Sequence, residues 1–245
     1  LAEPIQNRAI RLCDLSFAWP GRTGFSLDVP DFSVAAGEKV FLLGESGSGK
    51  STLLSLICGI AQPQRGSIEV DGTDLEKLTG PRRDRFRANR IGVIFQMFNL
   101  LPYASALENI LLSLAFAPER RKTLKDPRTE ALRLTTALGL DADLVARARA
   151  SELSIGQQQR IAAARALIGG PRLVIADEPT SALDAATQGA FIELLMRQVE
   201  AAGATLVMVS HDARLAARFD RVMDISEIAK RTSQPPLKPT LWKGR

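Results

Sequence analysis

The sequence is poor in the residues that metal sites and disulfide frameworks are made of: it holds two cysteines and one histidine in 245 residues. Cys13 and Cys58 lie far apart in apolar contexts, and two cysteines cannot build a zinc module or a disulfide network. They read as buried, reduced thiols. Long hydrophobic runs are also missing. The longest, residues 53–60, is interrupted by Ser55 and Gly59 and falls well short of the ~18 apolar residues of a membrane span. No signal-peptide pattern opens the chain. The expectation is a protein of a reducing compartment, with any membrane work left to a separate subunit. Charge of one sign is only mildly in excess, at +5. That balance permits a nucleic-acid or anionic-membrane partner without requiring one. The one dense basic run, Arg82-Arg83-Asp84-Arg85-Phe86-Arg87 with Arg90, reads as a solvated helix face, a surface near anionic headgroups being the alternative.

What is present is an ordinary globular core, 45% hydrophobic, on a chain long enough for one large α/β domain. Residues 8–19 and 25–34 alternate apolar and polar positions, broken by Pro20-Gly21 and Pro30, and predict antiparallel strands. Residues 38–43 predict an apolar strand, 50–59 a helix, and 67–70 and 91–95 further strands. From about 97 to 165 helical periodicity takes over, with helices expected at 104–116, 128–138 and 157–168. Strand and helix then alternate again: strand 173–176, helix 185–201, strand 205–209, helix 212–217. Such alternation implies a mainly parallel sheet covered by helices. The domain is expected to span 1–228 with the helical stretch inserted into it. Residues 229–245, with three prolines and several basic residues, read as a loose tail.

Two local patterns carry chemistry. Gly44-Glu45-Ser46-Gly47-Ser48-Gly49-Lys50-Ser51 fits G-x-x-x-x-G-K-[ST] between a predicted strand and a predicted helix. Glycines let successive backbone N–H groups curl around phosphate oxygens, and the helix aims its positive end at the same point. Lys50 is then expected on the β- and γ-phosphates and Ser51 on Mg²⁺. The second pattern is the apolar run 173–176 ending in Asp177 and Glu178. Ligands collect at the carboxyl ends of buried parallel strands, which makes Asp177 a metal-binding acid and Glu178 a general base for water.

With these two in place, the rest of the sequence resembles the ATP-binding-cassette (ABC) family. Leu153-Ser154-Ile155-Gly156-Gln157 resembles the L-S-G-G-Q signature, and Pro179-Thr180-Ser181-Ala182-Leu183-Asp184 the D-loop. His211 in Ser210-His211-Asp212 resembles the switch histidine, Gln96 the glutamine of the Q-loop, and Trp19 the aromatic that stacks on adenine. The resemblance covers residues 8–228. It implies a P-loop fold with a RecA-like, mainly parallel core, an N-terminal antiparallel β subdomain and an inserted α-helical subdomain. It also implies ATP and Mg²⁺ as ligands, with Thr52 and Asp184 added to the nucleotide contacts and Gln96 to the metal contacts. Ser154, Gly156 and Gln157 are implied to reach the γ-phosphate held by a second copy of the chain, two copies enclosing two ATP head to tail. Ile155 departs from the family glycine, and a β-branched residue disfavours the positive φ that glycine permits.

The run Gly92-Val93-Ile94-Phe95-Gln96-Met97-Phe98-Asn99-Leu100-Leu101-Pro102 resembles the ATPase subunits of lipoprotein-releasing (LolD-like) and macrolide-export (MacB-like) systems. That implies an integral membrane permease as partner, docked on the segment from Met97 to about Phe116 at the cytoplasmic face of the inner membrane. The work implied is export or extraction of a hydrophobic or envelope substrate. A small-solute importer ATPase and a cell-division-type ATPase share the same motifs. DNA-repair and translation-factor relatives carry long insertions or zinc modules that this chain lacks, so no nucleic-acid partner is expected.

Overall fold

The computed structural model describes residues 8–20 and 26–232. Two long strands come first, β1 (Arg8–Ala18) and β2 (Ser26–Ala35), then β3 (Lys39–Leu43), α1 (Lys50–Ile57), β4 (Arg65–Val70), the short β5 (Thr73–Asp74), α2 (Gly80–Arg90) and β6 (Ile91–Ile94). Five helices follow: α3 (Ala106–Phe116), α4 (Pro118–Lys122), α5 (Pro127–Ala137), α6 (Ala142–Arg147) and α7 (Ile155–Leu167). The chain then returns to β7 (Leu173–Asp177), α8 (Ala185–Ala201), β8 (Thr205–Ser210), β9 (Arg221–Asp224), α9 (Ile225–Ile228) and β10 (Lys230–Thr232). One sheet is antiparallel, in the order β10-β2-β1-β4-β5, and the other is parallel, in the order β6-β7-β8-β3-β9.

The parallel sheet is the centre of the molecule because successive side chains of a strand point to opposite faces. Phe41, Val174, Ala176, Leu206 and Met208 pack on one side, against residues of α3, α5, α7 and α8. Val40, Leu42, Leu173, Ile175, Val207 and Val209 pack on the other, against α1 and the inner face of the antiparallel sheet, including Ile10, Leu12, Val29 and Ile68. With both faces covered, the central strands read as continuous apolar runs. Every residue of β8 is buried. The antiparallel sheet keeps one face outward and so alternates, which is how its strands were legible.

Helix starts are written locally. Ser105 and Glu108 form a reciprocal capping box on α3, Asp126 caps α5 ahead of Pro127, and Ser154 and Gln157 form a second box on α7. Among the described residues no helix is long and apolar enough to cross a membrane. The basic run lies on α2, where Arg82 and Arg85 are exposed. Cys58 is buried and burial pushes its thiol up to about 12, but Cys13 is only half-buried, its Sγ 3.9 Å from an Asp31 carboxylate oxygen.

Several expectations need correction. Pro30 does not break a strand: β2 runs through it, and Pro30 is exposed and lies beyond the three residues that β10 pairs, so its missing N–H removes no bond on that edge. The helix expected after β8 is present, as a 3₁₀ helix over residues 213–218. Residues 229–232 are not loose tail. Ala229 is buried and β10 pairs antiparallel with β2, satisfying backbone groups that the sheet edge would otherwise expose. Residues 233–245 lie outside the described residues, as do 1–7 and 21–25.

The packing of α7 on the sheet depends on Gly92. A Cβ there would stand 2.2 Å from the backbone oxygen of Ala166 and 2.9 Å from its carbonyl carbon, neither of which can rotate away. Gly92→Ala is expected to cost about 1–3 kcal/mol by overpacking, lowering Tm by about 2–4 °C for each kcal/mol in a domain of this size. A thermal melt matching the wild type would show that α7 can retreat at no cost.

Candidate functional site

Four neighbouring parallel strands, β6, β7, β8 and β3, deliver their carboxyl ends to one side of the sheet. The loop 44–49 follows β3, Gln96 follows β6, Asp177 and Glu178 end β7, and His211 follows β8. In register, Leu43 pairs with Ser210 and Asp177 with Val209. Residues separated by as much as 192 positions in sequence, Trp19 and His211, thus line a single cleft of about 770 Å³. It is lined by Glu45, Ser46, Gly47, Gly49, Lys50, Ser51 and Thr52 of the loop and α1, by Gln96, Asp177, Glu178 and His211 from the other strand ends, and by Trp19, which bonds to Thr52.

The loop has the shape an anion cradle requires. Gly47 (φ 79°) and Gly49 (φ 105°) are left-handed, and Gly49 is the N-cap of α1, so the loop's backbone N–H groups turn inward over a helix N-terminus. Ser48 N–H donates to the Glu45 carbonyl at 3.2 Å and closes the turn. Gly44 and Ser48 line a separate recess behind the loop, beside Asp224 and Ile225.

Lys50 is 6% exposed, and its ammonium donates to the Gly44 carbonyl at 2.5 Å and the Glu45 carbonyl at 3.1 Å. The same ammonium lies 3.1 Å from Glu178 Oε1, while Nδ1 of His211 lies 2.9 Å from Glu178 Oε2. Both oxygens of one mostly buried carboxylate are therefore engaged. Glu178 also holds a left-handed backbone (φ 43°), a conformation that a non-glycine residue keeps only when its surroundings impose it. Here its N–H donates to the Val209 carbonyl at 3.0 Å, extending the β7–β8 pairing one residue past the strand.

Asp177 accepts a hydrogen bond from the Ser51 hydroxyl. Burial holds its carboxyl above the ordinary carboxylate range, the Ser51 bond partly offsets this, the Glu178 charge adds to it and Lys50 opposes it. Trp19 is fixed from two sides: its indole N–H donates to Thr52 Oγ1 at 3.1 Å, and its ring meets Phe17 edge-on with centroids 5.0 Å apart. That holds the ring in place within the lining of the cleft.

Besides Gly44 and Ser48, four further expected residues stand elsewhere. Ser154 and Gln157 cap each other at the start of α7, and Gly156 lies between them. Asp184 caps the start of α8, accepting from Thr187 N–H at 3.0 Å. None of the four lines the cleft. The structure also corrects the reading of Ile155: as the first residue after the Ser154 cap it enters helical backbone, so no positive φ is asked of it, and its side chain is 53% exposed. Every residue lining the cleft was among those named from sequence. What sequence did not show is how they bond to one another, and two anchors of the segment after Gln96. Asn109, fully buried, bonds through its side-chain amide to the backbone of Leu101, Ala104 and Ser105. Arg165 donates to the carbonyls of Phe98 and Asn99.

The sign of the Asp177 shift sets an experiment. A carboxyl raised in the folded state adds stability in its protonated form, below the unfolded value of about 3.9, and loses it as pH rises through the folded value. At neutral pH the fold therefore carries an unfavourable charge at this position. Asp177→Asn should melt above the wild type at neutral pH, with the gap closing as pH falls towards about 4. A gap that is absent at neutral pH, or that widens on acidification, would reverse the electrostatic reading of this site.

Comparison with known proteins places this geometry. The family profile described as ABC transporter matches residues 27–181. The lipoprotein-releasing system ATP-binding protein LolD of Syntrophotalea carbinolica is 42% identical over 197 residues, 80% of this chain and 85% of that protein. The macrolide export ATP-binding/permease protein MacB of Rhodopirellula baltica is 40% identical over 198 residues, which cover 80% of this chain and 28% of that longer protein. Among solved structures, the dimeric post-hydrolysis state of the ATP-binding cassette MJ0796 bound to ADP and Pi superposes with a TM-score of 0.73 at 31% identity, covering 88% of this chain and 93% of that one.

Proposed function

The chain belongs to the ABC transporter family and is an ATP-binding, ATP-hydrolysing cassette, and from that premise we propose how its residues divide the work and what they serve. One observation carries the reading: Lys50, Ser51, Gln96, Asp177, Glu178 and His211 converge from four adjacent strand ends on the cleft that Trp19 borders.

The phosphates of ATP occupy the loop 44–49 and the N-terminus of α1, with Thr52 beside them and adenine against Trp19. Lys50 exchanges Glu178 for the β- and γ-phosphates, which frees Glu178 Oε1 to face water. The donor set of Ser51 hydroxyl, Asp177 carboxylate and Gln96 amide oxygen suits Mg²⁺, a hard cation that takes one or two carboxylates together with substrate phosphates. Bound there, the ion would neutralise charge between the β- and γ-phosphates. Glu178 accepts the proton of the attacking water as its oxygen bonds to the γ-phosphorus and the bond to the ADP oxygen breaks. His211, held on the far oxygen of Glu178, keeps the carboxylate aimed.

The signature residues Ser154, Gly156 and Gln157 serve a second copy of the chain. The first N–H groups of a helix have no partners in its own ladder; in α7 that of Gln157 donates to the Ser154 hydroxyl, and Ser154 and Ile155 are exposed and outside this chain's own cleft, accessible to a second molecule. Two copies arranged head to tail complete two sites, with Asp184 near the shared boundary. The dimeric cassette among the structural relatives supports this arrangement.

The partner is an integral membrane permease. Ile60, Met97, Leu112 and Phe116 are exposed apolar residues, and Ile60 and Phe116 border a groove of about 420 Å³ with Val93 and Phe95. Exposed apolar clusters of this kind mark protein contacts. The groove accepts a cytoplasmic helix of the permease, placing the cassette at the inner face of the membrane with no nucleic acid involved. The resemblance to lipoprotein-releasing and macrolide-export ATPases supports export or extraction of a hydrophobic substrate.

Glu178→Gln tests the division of labour. It keeps the shape and removes the base, so ATP should bind while turnover falls by at least about 100-fold. Size exclusion with ATP and Mg²⁺ should then show a stable dimer. Adding Ile155→Gly should change dimer affinity by less than about fivefold, since its backbone is already helical and only about 1 kcal/mol of helix propensity is at stake. A Glu178→Gln chain that binds ATP tightly and stays monomeric, with its permease supplied, would defeat the shared-site mechanism.

A further inference from the structure

Within four residues the chain after β6 touches three different parts of the molecule. Gln96 lines the nucleotide cleft, Met97 points outward at 81% exposure, and the carbonyls of Phe98 and Asn99 are gripped by Arg165 on α7. The backbone pays for this course. Phe98 (φ 55°) and Asn99 (φ 51°) are both left-handed, and two consecutive non-glycine residues hold that conformation only when something outside the loop compensates.

The guanidinium of Arg165 supplies the compensation. Its two terminal nitrogens donate separately, Nη1 to the Asn99 carbonyl at 2.6 Å and Nη2 to the Phe98 carbonyl, a fork only arginine presents. Burial lowers its affinity for a proton, and among the described residues no carboxylate forms an ion pair with it; its hydrogen bonds go to backbone. An arginine in the last turn of a helix ordinarily complements that helix's own terminal carbonyls. In α7 this need is met from outside: buried Arg120 donates to the carbonyls of Ala166 and Ile168. Arg165 is thus available for the loop, and Ser113 of α3 bonds the Arg165 carbonyl at 3.2 Å, steadying the turn that carries it. Arg165 also borders the groove of Ile60 and Phe116, together with Phe95 and Asn99.

We infer that Arg165 is the positioning residue that ties the loop after Gln96 to the helix beginning at Ser154, so that the nucleotide cleft, the groove and the signature end of α7 move as one piece. It touches no nucleotide and acts through Gln96 at one end and the α7 N-terminus at the other. The inference rests on the proposed function, in which Gln96 faces this chain's nucleotide and α7 faces the partner copy's. A partner segment seated in the groove would press on the same fork. The element is physical and contiguous: one rigid helix, one side chain and two carbonyls.

The test is a double-mutant cycle on ATP turnover. Arg165→Lys retains charge and stem but replaces the fork with a single ammonium. It should leave the affinity for a fluorescent ATP analogue within about threefold and lower kcat by about tenfold. In a Gln96→Ala background the same change should lower kcat less than about twofold, because the loop has already lost the contact that Arg165 positions. Arg165→Gln, which loses the charge and the fork, should behave like Arg165→Lys in both backgrounds. Wild-type kcat in Arg165→Lys, or an equal fall in both backgrounds, overturns the inference. So does a melt far below wild type in both single variants, which would mark Arg165 as a structural staple only. Absence of ATP turnover in the wild-type chain, with Lys50→Ala indistinguishable from it, would instead sink the functional reading itself.

Discussion

Everything at the site depends on burying a parallel sheet on both of its faces. Strands β3, β7 and β8 send alternate apolar side chains into two cores, one shared with the helices and one with the antiparallel sheet. Strands covered on both sides and hydrogen-bonded in parallel must end side by side, and their carboxyl ends must emerge at the same edge. The groups that continue them, Gln96, Asp177, Glu178, His211 and the loop 44–49, are brought together by that constraint before any of them bonds to another. The burial that aligns them also sets their chemistry. Asp177 stays reluctant to ionise because the sheet edge removes it from water, and Ser51 answers with a hydrogen bond.

The site is held under tension of a specific kind. Glu178 keeps a left-handed backbone and shares its carboxylate between Lys50 and His211. A buried ion pair of this sort contributes little net stability, yet removing either partner leaves an uncompensated charge. That asymmetry suits a catalytic group: phosphate can replace the carboxylate as partner of Lys50, whereas water alone does so poorly. Strain and burial at Glu178 are thus sustained by the core around them.

The helical layer is joined to this machinery through few bonds, and most are to backbone. Gly92 lets α7 approach β6 to a distance no side chain would permit. Arg120, Arg165 and Asn109 then use long or branched polar side chains to satisfy carbonyls that irregular loops leave open. Buried carbonyls need partners, and these residues provide them at the points where the insertion meets the sheet. The α7 start at Ser154 and Ile155 is left exposed to solvent.

Much of this was legible in the sequence because the relevant physics is local. The loop 44–51 is contiguous, its glycines and Lys50 needing only a strand before and a helix after. The apolar run into Asp177 and Glu178 announces a buried strand end. Residues whose role comes from distant neighbours were not legible. β9 is short and charged at both ends, so nothing in its own pattern signals a strand beside β3. β10 exists only because β2 offers it an edge, and Pro30 is tolerated because that edge is not paired there. Ile155 looked strained by analogy with glycine and is not, since the Ser154 cap sets its backbone. The sequence alone determined which groups could bind phosphate, metal and water. Tertiary structure decided that Lys50 meets Glu178, that His211 stands behind it and that Arg165 reaches Phe98 and Asn99, because those distances depend on how two cores pack around one sheet and not on any spacing along the chain.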